Sequence, residues 1–174
     1  LDIYNPVRSV IFCNTKRMVD ELANLLRLRG YTAKELHGDI KQSIRTQTMN
    51  AFKSGSIDLL IATDVAARGI DVDDIEIVFN YDIPQDVEYY VHRIGRTGRA
   101  GKKGRSITFA RGRRQIQELM NIERFTKSKI QLRKIPTYDE TMEVRSRQFI
   151  LSVKEAKEAG GLESVNGILS LKHM

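Results

Sequence analysis

Short apolar runs alternate with helical segments along most of this chain, and that alternation constrains its fold more than any other feature. Residues 8–13 (RSVIFC) are rich in β-branched side chains and read as a buried strand. Asn14 or Thr15 stands where a helix cap is needed, and Met18, Leu22, Leu25 and Leu26 follow at helical spacing before Gly30. The same reading gives further strands at 32–36, 58–62, 75–80 and 106–110. It gives helices at 42–52, with Ile44, Ala51 and Phe52 as the apolar side, at 87–94 and at 115–126. Residues 130–135 read as a short edge strand. Apolar strands separated by such helices require crossover connections, which are right-handed and build a parallel sheet. The expected fold is therefore α/β, three layers around a mostly parallel sheet. Ligands are then expected at the loops beyond the strand carboxyl ends: 13–16, 37–39, 63–71 and 81–85.

After Pro136 the character changes. Residues 137–174 hold six acidic and five basic residues, so this stretch carries −1 of the chain's net +7 and residues 1–136 carry +8. The expected division is a domain over 1–136 and a helical or partly flexible extension over 137–174, with one amphipathic helix at 139–159. Residues 89–117 contain nine Lys and Arg and no acid. Like charges crowded in that way repel unless something anionic sits near them. Cys13 is the only cysteine, which excludes an internal disulfide, cannot supply a zinc site by itself and suits a reducing, cytoplasmic compartment. No apolar run approaches the ~20 residues of a membrane span. Leu1 stands where an initiator Met would be in a whole protein, so a fragment of a longer chain is expected.

The strand-end loops carry the chemistry. Residues 62–71 (ATDVAARGID) bring two carboxylates, a hydroxyl, an arginine and a glycine to the end of a buried strand. Residues 92–101 (HRIGRTGRAG) space Arg93, Arg96 and Arg99 by three, which puts neighbouring arginines about 5–6 Å apart wherever the run is helical. Arginine keeps its charge and its fork matches phosphate oxygens.

With Val10–Lys16 (VIFCNTK) resembling motif IV, His37-Gly38-Asp39 with Gln42 and Arg45 resembling the glycine block and Q-x-x-R element, 62–71 resembling motif V and 92–99 resembling motif VI, the chain resembles the C-terminal RecA-like domain of the bacterial DEAD-box RNA helicases over residues 8–135. The His92 start of the last motif favours that branch over other superfamily-2 helicases.

The resemblance implies a RecA-like fold and RNA-dependent ATP hydrolysis in a cleft between two such domains. It implies ATP and Mg2+ as cofactors, RNA and an N-terminal RecA-like domain as partners, and no membrane. Arg96 and Arg99 match the arginines that reach the γ-phosphate. Asp71 matches the ribose contact. With Asp71, Arg96 and Arg99, Arg93 is expected among the ATP-binding residues. Arg93 and His92 match positions linking motif VI to the partner domain and neighbouring motifs, and Arg93 reads equally well as a structural salt-bridge arginine. Thr15, Lys16, Gly38, Gln42, Arg45 and Thr63 match positions that grip the RNA backbone. Within these 174 residues there is no G-x-x-x-x-G-K-[ST] and no D-E-A-D, so Mg2+ is expected on the other domain. Asp64 reads on its own as a turn cap, Cys13 as packing and Lys102 and Lys103 as a solvated loop. Arg111, Arg113 and Arg114 either face RNA or open a helix. The extension is open to self-association. The rival readings are a DNA-directed superfamily-2 translocase and a stand-alone RNA-binding module.

Overall fold

The computed structural model describes residues 1–67, 72, 75–98, 101 and 104–158. The expected Asp71 and Arg99 sites, and the expected loop lysines Lys102 and Lys103, lie outside the described residues. Two compact units are present, one of Pro6–Gln131 and one of Leu1–Asn5 with Leu132–Met174.

The first unit is built on five strands: β1 (Ser9–Phe12), β2 (Ala33–Leu36), β3 (Leu59–Ala62), β4 (Ile77–Asn80) and β5 (Arg105–Thr108). All pair in parallel, in the order β2-β3-β1-β4-β5. Between them run α1 (Lys16–Leu28), α2 (Gln42–Ser54), the single turn α3 (Asp64–Ala67) and α4 (Val87–Ile94), with α5 (Gly112–Thr126) following β5. The chain moves one way across the sheet from β1 to β2 and the other way thereafter. Right-handed crossovers therefore put α1 on one face and α2, α3 and α4 on the other. Val10, Phe12, Leu60, Ala62 and Val78 pack with Phe52 of α2 and Ala66 and Ala67 of α3. A second cluster joins Ile83 and Tyr90 to Ile122 of α5, with Ile130 against it.

Local chemistry sets two of the helix bounds directly. Thr15 caps α1, its Oγ1 accepting the Met18 N–H at 3.2 Å. Gly55 closes α2 with φ +79°, a conformation in which a side chain would be strained. Three expectations are corrected. The buried side of α1 is Val19, Ala23 and Leu26, while Leu25 is exposed. The buried side of α2 runs through Thr48 and Phe52, and Ile44 faces water. Residues 130–135 form no strand. The Ile130 N–H is instead taken by Glu123 Oε1 at 2.9 Å while its side chain tucks against the α4–α5 cluster.

In the second unit, α6 (Tyr138–Glu158) begins at a reciprocal cap. The Thr137 N–H donates to Glu140 Oε2 and the Glu140 N–H donates to Thr137 Oγ1. None of its residues is buried, and Phe149, Ile150 and Leu151 are all exposed.

Cys13 leaves β1 fully buried, as packing requires. Burial, aided by Asp82, pushes its thiol up to about 12. Iodoacetamide at pH 8 is expected to leave Cys13 intact in the folded protein and to modify it once urea unfolds the chain, as read by intact mass.

Candidate nucleotide and RNA interface

The register sets the carboxyl ends level. Leu36, Ala62, Phe12, Asn80 and Thr108 are successive partners across the five strands. The segments that follow therefore open along one edge, about 4.8 Å apart from strand to strand.

On the β2–β3–β1 side the candidate RNA residues gather. Thr15 and Lys16 start α1 just past β1, Gly38 lies past β2, and Gln42 and Arg45 share one face of α2. Thr63 follows β3, its N–H donating to the Leu36 carbonyl and its own carbonyl accepting from Ala67. Lys16 Nζ reaches Asp39 Oδ2 at 2.6 Å, joining the loops of β1 and β2 across β3. That hydrogen bond holds the exposed Asp39 carboxyl below its ordinary value and raises the Lys16 ammonium above its own. The Asp39 N–H donates to His37 Nδ1 at 3.3 Å, and His37 Nε2 pairs with Asp20 Oδ1 of α1 at 2.9 Å. Arg45 donates to the Ala66 carbonyl at 2.7 Å, tying α2 to the turn after Thr63. Gly38 is exposed, and a Cβ there would meet nothing within 4 Å.

Arg93 is the centre of the other half. It is 1 % exposed, on α4. Its Nε and Nη2 donate to the two Asp64 oxygens at 2.6 and 2.7 Å. Nη1 donates to the Asp82 carbonyl at 2.7 Å and to Asn80 Oδ1 at 3.5 Å. Nη2 also donates to Asn14 Oδ1 at 2.8 Å. The guanidinium lies over the Phe12 ring, 5.2 Å from its centre. Five N–H groups thus meet five acceptors from the ends of β1, β3 and β4. Every N–H of Arg93 is engaged within the chain, the arrangement of a structural salt-bridge arginine. Asp64, read from sequence as a turn cap, is its charge partner. Asn14, Asn80 and Asp82 were missed as members of this site; none stands in a pattern that names its partner.

The arginine run does not stay at the carboxyl edge. Three residues past Arg93 the chain has left α4, and Thr97 Oγ1 donates to the carbonyls of Ile75 and Glu76, at the entry to β4. Arg96 is half-buried there, just past Gly95. Gly104 was also missed. A Cβ on it would stand 2.3 Å from the Gly98 N and 2.6 Å from Thr97 Oγ1, so the backbone returning to β5 passes against the arginine loop at a distance only glycine allows. His92 points outward, with Asp86, Val87, Glu88, Tyr89 and Phe125 around a depression of about 450 Å³.

Arg93→Ala leaves Asp64 and three neutral acceptors without their donor. It is expected to cost about 3–5 kcal/mol of stability, the range for breaking a buried pair. Arg93→Lys should recover little, because an ammonium cannot fill a fork. Urea denaturation of the three proteins checks both statements.

Residues 2–101 match the helicase conserved C-terminal domain family. The chain is 53 % identical over 147 residues to the DEAD-box ATP-dependent RNA helicase CshA of Geobacillus kaustophilus, a match covering 84 % of this chain and 31 % of that protein. It thus spans about a third of the length of such curated relatives. The E. coli DEAD-box protein SrmB, solved bound to regulator of ribonuclease activity A, superposes with a TM-score of 0.71 at 39 % identity, covering 78 % of each chain. S. cerevisiae Dbp5 bound to RNA and ADP BeF3 gives 0.71 at 33 % identity, covering 83 % of this chain and 40 % of that one. By sequence and by its RecA-like fold, this chain belongs to the DEAD-box helicases and carries their conserved C-terminal domain.

Proposed function

We propose that this chain is the second half of an RNA-dependent ATPase that opens short RNA duplexes. Its work is to bring arginines to ATP bound mainly by a partner domain and to hold one side of the RNA backbone. The observation that carries the reading is the division of labour along one run. Arg93 is consumed inside the domain, while Arg96, three residues on, follows a glycine out of the helix. Arg96 and Arg99 would neutralise charge on the transferred phosphoryl group, an effect worth roughly 10³–10⁵ in rate in related NTPases. Asp71 would accept from the ATP ribose. His92, outward on α4, would face the N-terminal RecA-like domain that completes the site.

Among the described residues no three His, Cys, Asp or Glu converge as a metal site. The Mg2+ that accompanies ATP is assigned to the phosphate-loop domain. No described helix is long and apolar enough to cross a membrane. The proposed setting is the cytoplasm, where a buried thiol such as Cys13 stays reduced. The exposed Phe149, Ile150 and Leu151 of α6 support self-association through 137–174.

Thr15, Lys16, Gly38, Gln42, Arg45 and Thr63 would hold sugar and phosphate without reading sequence. The open space at Gly38 supports this, because nothing within the chain's packing requires a glycine there. Such contact makes binding salt-dependent. The chain is expected to bind single-stranded RNA with an affinity that falls steeply as salt rises, measured by fluorescence anisotropy. Salt-independent binding would contradict it.

In the protein carrying both domains, Arg96→Ala is expected to lower RNA-stimulated kcat at least ~100-fold. Nucleotide affinity of the open state should barely change, because a contact made chiefly in the transition state affects turnover more than ground-state binding. Near-normal kcat would remove the assignment.

A further inference from the structure

Phe109, the first residue past β5, is 43 % exposed, yet its ring is held on two sides. It stacks on Phe79 with centroids 6.5 Å apart and planes 9° from parallel. Tyr81 meets it edge-on at 6.2 Å. Phe79 is buried in β4, and the Phe109 N–H donates to the Asn80 carbonyl at 3.0 Å. The exposed ring is therefore fixed in orientation by the sheet beneath it.

Two residues further on come Arg111, Arg113 and Arg114, all exposed. Arg114 pairs with Glu118. Arg111 and Arg113 have no acidic neighbour in sequence from 89 to 117. Of the two acids in the adjoining loop, Asp82 already accepts the Asn14 N–H at 3.0 Å and Asp86 stands at the start of α4. A fixed, exposed ring beside guanidinium groups is the combination that holds single-stranded nucleic acid, by base stacking and phosphate contact. The patch also lies on the same level edge as the candidate RNA loops. Four strand spacings, about 19 Å, separate the end of β5 from the end of β2.

We propose that Phe109 and Tyr81, with Arg111 and Arg113, form a second contact for single-stranded RNA, one that stacks a base, apart from the backbone-gripping loops after β1, β2 and β3. This rests on the RNA reading above, and the experiment separates the two. The chain is titrated with a labelled oligouridylate of about 20 nucleotides, long enough to cover both patches. Phe109→Ala is expected to weaken binding at least about fivefold, and Phe109→Trp to retain it. Arg111→Gln with Arg113→Gln should lower the slope of log affinity against log salt by about 1.4, for two phosphates on a single strand. RNA carrying 5-iodouridine should photocrosslink to Phe109 or Tyr81, located by mass spectrometry. Binding that depends on Lys16 but is unchanged in Phe109→Ala, with crosslinks confined to the β1–β3 loops, overturns this inference and leaves the RNA reading standing. A chain that binds no RNA overturns both.

Discussion

One buried guanidinium holds the carboxyl ends of three adjacent strands together. Taking Arg93 out of water is costly, and the cost is offset only because Asp64 accepts from two of its nitrogens and three neutral oxygens take the remaining N–H groups. Each acceptor belongs to a segment the site uses. Asn14 immediately precedes the Thr15 cap and Lys16. Asp64 immediately follows Thr63 and opens α3. Asp82 sits in the loop beyond β4. The candidate RNA residues after β1 and β3 are thus placed by a side chain whose N–H groups are all engaged within the chain. Lysine has the charge without the planar fork and could not address three strands at once.

The same short run connects opposite ends of the sheet. Arg93 reaches the carboxyl edge, while Thr97 bonds carbonyls at the amino end of β4 and Gly104 passes against Gly98. A displacement of the Arg96 loop must therefore disturb α4, and α4 bears on the strand ends through Arg93. Close packing transmits such strain rather than absorbing it. In the two-domain reading this gives the nucleotide-facing loop and the RNA-facing edge a shared rigid link.

Much of the fold was legible from periodicity. Strands β1, β3 and β4 appear at short continuous apolar runs, because they are buried on both faces. The longer helices appear where the apolar spacing is about 3.6, whereas the single turn α3 had no such signal. Misreadings arose where a segment had a choice of partner. Ile44 is apolar and at a helical position, but α2 turns Thr48 and Phe52 to the sheet instead. Residues 130–135 have strand composition, yet Glu123 takes the first backbone donor and the α4–α5 cluster takes the first side chain.

Of the candidate site, the sequence alone determined the residue types and their order: arginines three apart, glycines beside them, a hydroxyl and a carboxylate after β3. Only the tertiary structure decided which arginine is internal. Arg93 and Arg96 look alike in the chain, but Arg93's acceptors lie 11 to 79 residues away and meet only when β1, β3 and β4 align in register. Gly104 shows the same limit, since its need for glycine comes from Gly98 and Thr97 lying against it. Such contacts depend on strand order and register, which arise from packing the whole sheet and have no local signal.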